Sequence, residues 1–179
     1  MTQAKKIDLK KHIRTIPDFP KQGILFRDIT TLAQHKHAFR EAVNKLSSKY
    51  AGKKIDKVVA VEARGFIFGA AVAHKLGAGF IPVRKKGKLP WKTTSVSYEL
   101  EYGTDTLEMH EDAIDKNDRV LIVDDLLATG GTVKAVVELL ENKHAKIAGI
   151  AFLVELIDLG GKDKLKKYPV YSLIKFPGH

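Results

Sequence analysis

Short apolar runs alternate with amphipathic stretches along most of the chain, the pattern of an α/β fold built on a mostly parallel sheet. Phe39, Val43, Leu46 and Tyr50 recur at helical spacing and predict a helix over His35 to Tyr50, closed by Ala51-Gly52. The β-branched run Val58-Val59-Ala60-Val61 predicts a buried strand, and Phe66 to Leu76, apolar nearly all round and ended by Gly77, predicts a buried helix. Phe80 to Val83 predicts the next strand. Residues 84–92 then read as a charged loop holding Gly87 and Pro90. Ser95 to Glu101 and Thr106 to His110 alternate as the two arms of a hairpin around Tyr102-Gly103-Thr104-Asp105. Further on lie a strand from Arg119 to Val123, a helix from Val133 to Asn142, a strand from Ile147 to Leu156, a short helix from Asp163 to Tyr168 and a strand from Val170 to Phe176.

Nothing in this pattern marks a linker or repeat, and 179 residues suit a single domain, 1–179. The chain has no cysteine, which excludes disulfides and thiolate metal sites. Residues 1–11 carry charge and no apolar run, unlike a signal peptide, and no stretch is long enough to span a bilayer. A soluble cytoplasmic protein is expected. The net charge of +10 favours anionic partners. No zinc-finger spacing, RNP-like motif or long basic run accompanies it, so charge alone argues little for nucleic acid, and neither nucleic acid nor membrane is expected as a partner.

The most informative segment runs from Val120 to Thr132: a buried strand, the pair Asp124-Asp125, then Leu126-Leu127-Ala128-Thr129-Gly130-Gly131-Thr132 leading into a helix. In open α/β sheets ligands sit at the carboxyl ends of strands, and a helix start offers free N–H groups to phosphate. Gly130 and Gly131 let the backbone curl around an anion, while Thr129 and Thr132 add hydroxyls. The adjacent carboxylates would repel phosphate but can accept hydrogen bonds from vicinal sugar hydroxyls. The segment therefore reads as a ribose 5-phosphate site. Neither G-x-x-x-x-G-K-[ST] nor G-x-G-x-x-G is present, which weakens ordinary NTPase and dinucleotide readings.

This string resembles the signature of the type I phosphoribosyltransferases. The resemblance implies that Asp124 and Asp125 contact the ribose hydroxyls of phosphoribosyl pyrophosphate and that Ala128, Thr129, Gly130, Gly131 and Thr132 bind its 5-phosphate. It also implies a magnesium ion (Mg2+), held mainly by substrate and water, with no protein metal site. Three further segments resemble the adenine-specific branch of that family. Asp18 to Thr30 is similar to the base pocket, which implies Phe26 as the stacking ring, Leu25 and Arg27 as main-chain contacts and Leu156 as the opposite wall. Val61 to Phe66 resembles the pyrophosphate loop, which implies that role for Glu62, Ala63 and Arg64, with a cis peptide near Glu62-Ala63. Tyr98 to Thr104 resembles the loop that closes over the reaction, which implies Glu101 as a proton-handling acid and Tyr102 as a shield of the ribose. Arg84, Lys85 and Lys88 would approach the pyrophosphate, in a homodimer.

The architecture implied is the type I phosphoribosyltransferase fold, with helices flanking a twisted sheet, a small N-terminal base-binding hood over 1–34 and a flexible hairpin lid over 84–110. The activity implied is transfer of the phosphoribosyl group to N9 of adenine, giving AMP and pyrophosphate, as in purine salvage. Two alternatives remain open at this point: transfer to another purine such as xanthine or hypoxanthine, or non-catalytic sensing of phosphoribosyl pyrophosphate by a regulator.

Overall fold

The computed structural model describes residues 7–99 and 103–177. The first elements among the described residues are a 3-10 turn, Leu9–His12, and two three-residue strands, β1 (Arg14–Ile16) and β2 (Phe26–Asp28), paired antiparallel as a separate ribbon. Two helices follow, α1 (Thr30–Gln34) and α2 (Lys36–Ser48). The α2 start falls one residue later than the sequence pattern predicts. His35 is its N-cap, and the ring Nδ1 accepts a hydrogen bond from the Ala38 N–H at 3.2 Å.

Next come β3 (Lys57–Val61), α3 (Gly65–Leu76), β4 (Gly79–Lys85), β5 (Thr93–Glu99), β6 (Thr104–His110) and β7 (Arg119–Leu127). The chain continues through α4 (Gly131–Asn142), β8 (Lys146–Leu156), 3-10 turns over Ile157–Leu159 and Gly161–Leu165, and β9 (Val170–Phe176). Seven strands form one sheet in the order β5-β6-β4-β3-β7-β8-β9. The stretch from β4 to β9 is parallel, and the β5–β6 hairpin adds an antiparallel edge.

Strand alternation divides the apolar interior between the two faces of this sheet. Val58, Leu121, Val123, Ala151 and Leu153 belong to the core with α2 and α3, whereas Val59, Ile122, Ile150 and Phe152 belong to the core with α4. Helices on both faces of a parallel sheet explain why β3 and β7 read as continuous apolar runs.

Three details differ from the sequence expectations. Arg84 and Lys85 are not loop residues: they end β4 and pair with Glu108 and Leu107 of β6. β7 extends through both aspartates to Leu127, and α4 begins at Gly131, two residues before Val133. The turn near residue 163 is 3-10 and starts at Gly161. In each case backbone pairing or close packing decides the conformation, and neither leaves a periodic apolar pattern.

Candidate active site

β7 carries Asp124 and Asp125 to the carboxyl edge of the sheet, and both are buried. Oδ1 of Asp124 accepts the N–H of Asp125 at 2.9 Å. It also lies so near the start of α3 that a Cβ on Gly65 would come within 2.5 Å of it. Burial, reinforced by the neighbouring Asp125, pushes the Asp124 carboxyl well above the usual carboxylate range. Burial raises Asp125 as well, opposed by the Arg64 guanidinium. That cation lies close, with Nε 2.8 Å from Asp125 Oδ2. The contact is an ion pair rather than an aligned hydrogen bond, because Oδ2 has no partner of hydrogen-bonding geometry among the described residues.

Past β7 the chain turns through Ala128 and Thr129 to Gly130, the N-cap of α4, whose φ of 80° lies in the left-handed region. The first N–H groups of α4 thus open at the end of the strand that holds the acid pair. A second segment braces this loop. A Cβ on Gly130 would stand 2.6 Å from the carbonyl oxygen of Gly161, and a Cβ on Gly161 would collide with the carbonyl oxygen of Ala128. The loop and the Gly160-Gly161 turn therefore meet backbone to backbone.

Between β3 and α3, the Glu62–Ala63 peptide is cis, as the resemblance implied. Glu62 accepts the N–H of Lys85 at 2.6 Å and pairs with Arg84 Nη2 at 3.0 Å. Burial works against its charge, but these two partners outweigh it and hold its carboxyl below the usual value.

A cavity of about 230 Å³ is lined by Val61, Glu62, Ala63, Arg64 and residues 124–133. It thus brings together the acid pair, the phosphate-loop residues Ala128 to Thr132 and the turn at Glu62, Ala63 and Arg64. The other sequence candidates among the described residues lie outside its lining. Arg84 is engaged by Glu62 and donates to the Lys88 carbonyl at 3.1 Å, Lys85 pairs with Asp105 at 2.9 Å, and Lys88 is exposed. Phe26 reaches the cavity's edge through Arg64, whose Cζ is 5.1 Å from the ring centroid; Phe19 meets the same ring edge-on at 5.1 Å. Leu25 is exposed and Leu156 half-buried at the end of β8. The Arg27 side chain donates to Thr15 Oγ1 at 2.6 Å and lies over Phe176 at 4.4 Å. Glu101 and Tyr102 fall outside the described residues.

Sequence reasoning missed the bracing role of Gly161 and the Arg64–Asp125 pair. The Gly160-Gly161 doublet was a visible signal; the ion pair had none, because its members are distant in the chain.

Among the described residues no group of three or more His, Asp or Glu side chains could hold a metal ion. The acid pair and open cavity fit a cation that takes most of its ligands from a phosphorylated substrate and water.

A strand carrying paired carboxylates near its end, a glycine-capped helix start beside them and a cis turn facing both define a site for a phosphorylated sugar. In agreement, residues 28–178 match the model of the phosphoribosyl transferase domain, and the chain belongs to that family. Its relatives narrow the class. An adenine phosphoribosyltransferase of Bradyrhizobium sp. (strain ORS 278) is 58% identical over 175 residues, 97% of this chain and 98% of the relative. The crystal structure of adenine phosphoribosyltransferase from Thermoanaerobacter pseudethanolicus is 53% identical and superposes with a TM-score of 0.91, covering 94% of this chain and 98% of that one. The Saccharomyces cerevisiae enzyme, solved with an imino-altritol bisphosphate and adenine, is 40% identical, with a TM-score of 0.88 and coverage of 93% and 96%.

Proposed function

We propose that the chain is a transferase that moves the 5-phosphoribosyl group of phosphoribosyl pyrophosphate to N9 of adenine, yielding AMP and pyrophosphate. The observation that carries this is the cavity in which the acid pair, the phosphate loop and the Glu62–Arg64 turn converge. The near full-length similarity to named adenine phosphoribosyltransferases supports the choice of base.

In this reading the 5-phosphate sits on the N–H groups and hydroxyls of Ala128 to Thr132, favoured by the positive end of α4. Asp124 and Asp125 accept hydrogen bonds from the ribose hydroxyls. The turn at Glu62, Ala63 and Arg64 faces the pyrophosphate, and the Arg84, Lys85 and Lys88 cluster adds positive charge nearby. Adenine lies on Phe26, with Leu25 and Arg27 contributing main-chain contacts and Leu156 a second wall. N9 forms its bond to the anomeric carbon as the bond to the pyrophosphate oxygen breaks; the electron pair leaves with pyrophosphate, and the proton given up by the purine's imidazole ring is handled by Glu101. Tyr102 covers the ribose, and the hairpin over 84–110 shields the reacting centre from water. No side-chain nucleophile is needed, because positioning and charge stabilisation supply the rate.

Magnesium fits beside Asp124 and Asp125, where it would neutralise the pyrophosphate's charge. The reading is of a cytoplasmic homodimer of single-domain subunits, with residues 1–34 as the base-binding hood.

The test is AMP formation from adenine, phosphoribosyl pyrophosphate and magnesium, with hypoxanthine, guanine and xanthine in parallel. Turnover with adenine alone is expected. Turnover with another base would keep the family and overturn the base assignment, and no turnover by folded protein would overturn the activity.

A further inference from the structure

Arg64 stands where three parts of the cavity meet. It is the first residue before α3, placed there by the turn after β3. Its Nε forms the ion pair with Asp125 at 2.8 Å, and its guanidinium carbon lies 5.1 Å from the centre of the Phe26 ring. No other cation among the described residues lies within ion-pairing distance of Asp125. The pair is lopsided in exposure, with the Arg64 side chain 39% accessible and that of Asp125 only 9%. The carboxylate is buried in the protein interior, whereas the guanidinium borders solvent.

Both contacts use groups that substrates need. The Phe26 ring is the stacking surface for adenine in the proposed function, and Asp125 is a ribose ligand. Adenine is neutral and offers Asp125 no countercharge, so by itself it must displace Arg64 from the ring and strain the ion pair. A phosphorylated sugar carrying pyrophosphate meets both requirements, because its anion attracts the guanidinium and its hydroxyls donate to Asp125.

We propose that Arg64 is a placeholder that couples the two substrate sites: it covers the Phe26 ring and balances Asp125 until pyrophosphate draws it away, and only then does adenine bind tightly. The inference rests on the proposed base pocket. Arg64 acts here as a positioning residue, and the coupling it carries is reciprocal, so adenine must strengthen pyrophosphate binding by the same factor.

Titration calorimetry of adenine at constant ionic strength tests it, with magnesium pyrophosphate and ribose 5-phosphate as unreactive stand-ins for the second substrate. For the wild type, the adenine dissociation constant should fall about 10-fold or more when both are present, within the usual range of site-to-site coupling. Arg64→Gln should bind adenine alone more tightly than the wild type does and respond less than about twofold to the anions. Arg64→Lys, which keeps the charge without the flat guanidinium, should fall between the two; thermal melts of both variants check folding. Wild-type affinity unchanged by the anions, or full coupling in Arg64→Gln, would overturn the proposal while adenine turnover stays intact. If adenine fails to bind in any condition and another base is turned over, the base pocket falls and the coupling with it, an outcome the base panel separates from loss of coupling alone.

Discussion

At Asp124 the folded protein holds a carboxyl where burial, and then the adjacent Asp125, oppose its ionisation. Its folded pKa is raised above that of the unfolded chain. Stability from this group is therefore fully present below the unfolded value and is lost as pH rises through the folded one. Burial makes the ionised form of this carboxyl costly to the fold, and the site keeps the residue for ligand binding. Asp124→Asn preserves the acceptor for the Asp125 N–H and removes the charge. We expect it to stabilise the protein at pH 8 by roughly 1–2 kcal/mol, a rise of about 2–8 °C in unfolding temperature, with the gain shrinking towards pH 4. Calorimetric melts at the two pH values check this, and lower stability than wild type at both would contradict it. The same variant should lose phosphoribosyl pyrophosphate turnover by a factor of about 100 or more, measured as kcat/KM, through loss of a charged hydrogen bond to the sugar.

At the scale of elements, the contact between the phosphate loop and the turn after β8 sets the position of the α4 start. Gly161→Ala inserts a methyl group against the Ala128 carbonyl and the Gly130 N–H, so the loop must shift. KM for phosphoribosyl pyrophosphate should rise about tenfold or more, while KM for adenine changes less than about threefold, because the displaced donors face only the sugar phosphate. Steady-state kinetics with each substrate varied would reveal the split; equal effects on both would argue against it. This element also marks what could be read in the sequence. The strand, the two aspartates and the helix start are contiguous, so their pattern survives in one dimension, and β3, β7, α2, α3 and α4 followed from apolar spacing. β1 and β2 escaped because three residues are too few for a period to register. The basic end of β4 looked like loop because sheet pairing uses backbone groups and is indifferent to charged side chains at the end of a strand. Arg64 was legible as an anion-facing arginine, but its partner was not: Glu62 is nearer in sequence, yet Arg84 takes Glu62 and leaves Asp125 to Arg64.

The molecule as a whole carries a net charge of +10, and the phosphorylated substrate and both products of the proposed reaction are anions. Its field should speed capture of phosphoribosyl pyrophosphate and leave neutral adenine untouched. The screening length shrinks from about 30 Å at 0.01 M salt to about 8 Å at 0.15 M. Over that range kcat/KM for phosphoribosyl pyrophosphate should fall several-fold, and kcat/KM for adenine at a saturating level of the other substrate should stay nearly flat. Parallel salt series check this; equal slopes would show that the surface lysines do not steer.

The backbone-to-backbone meeting of Gly130 with Gly161 has a consequence for how such a protein can change over generations. Two distant positions there accept one residue type each, and a change at either disturbs the other, so the grip on the sugar phosphate cannot drift in small steps. The side chains assigned to the base, Phe26 as the stacking ring and Leu156 as the second wall, are only half-buried. Saturation mutagenesis should therefore find a frozen half and a plastic half in one cleft, and a lineage descending from this chain could exchange its nucleobase while inheriting its phosphoribosyl donor unaltered.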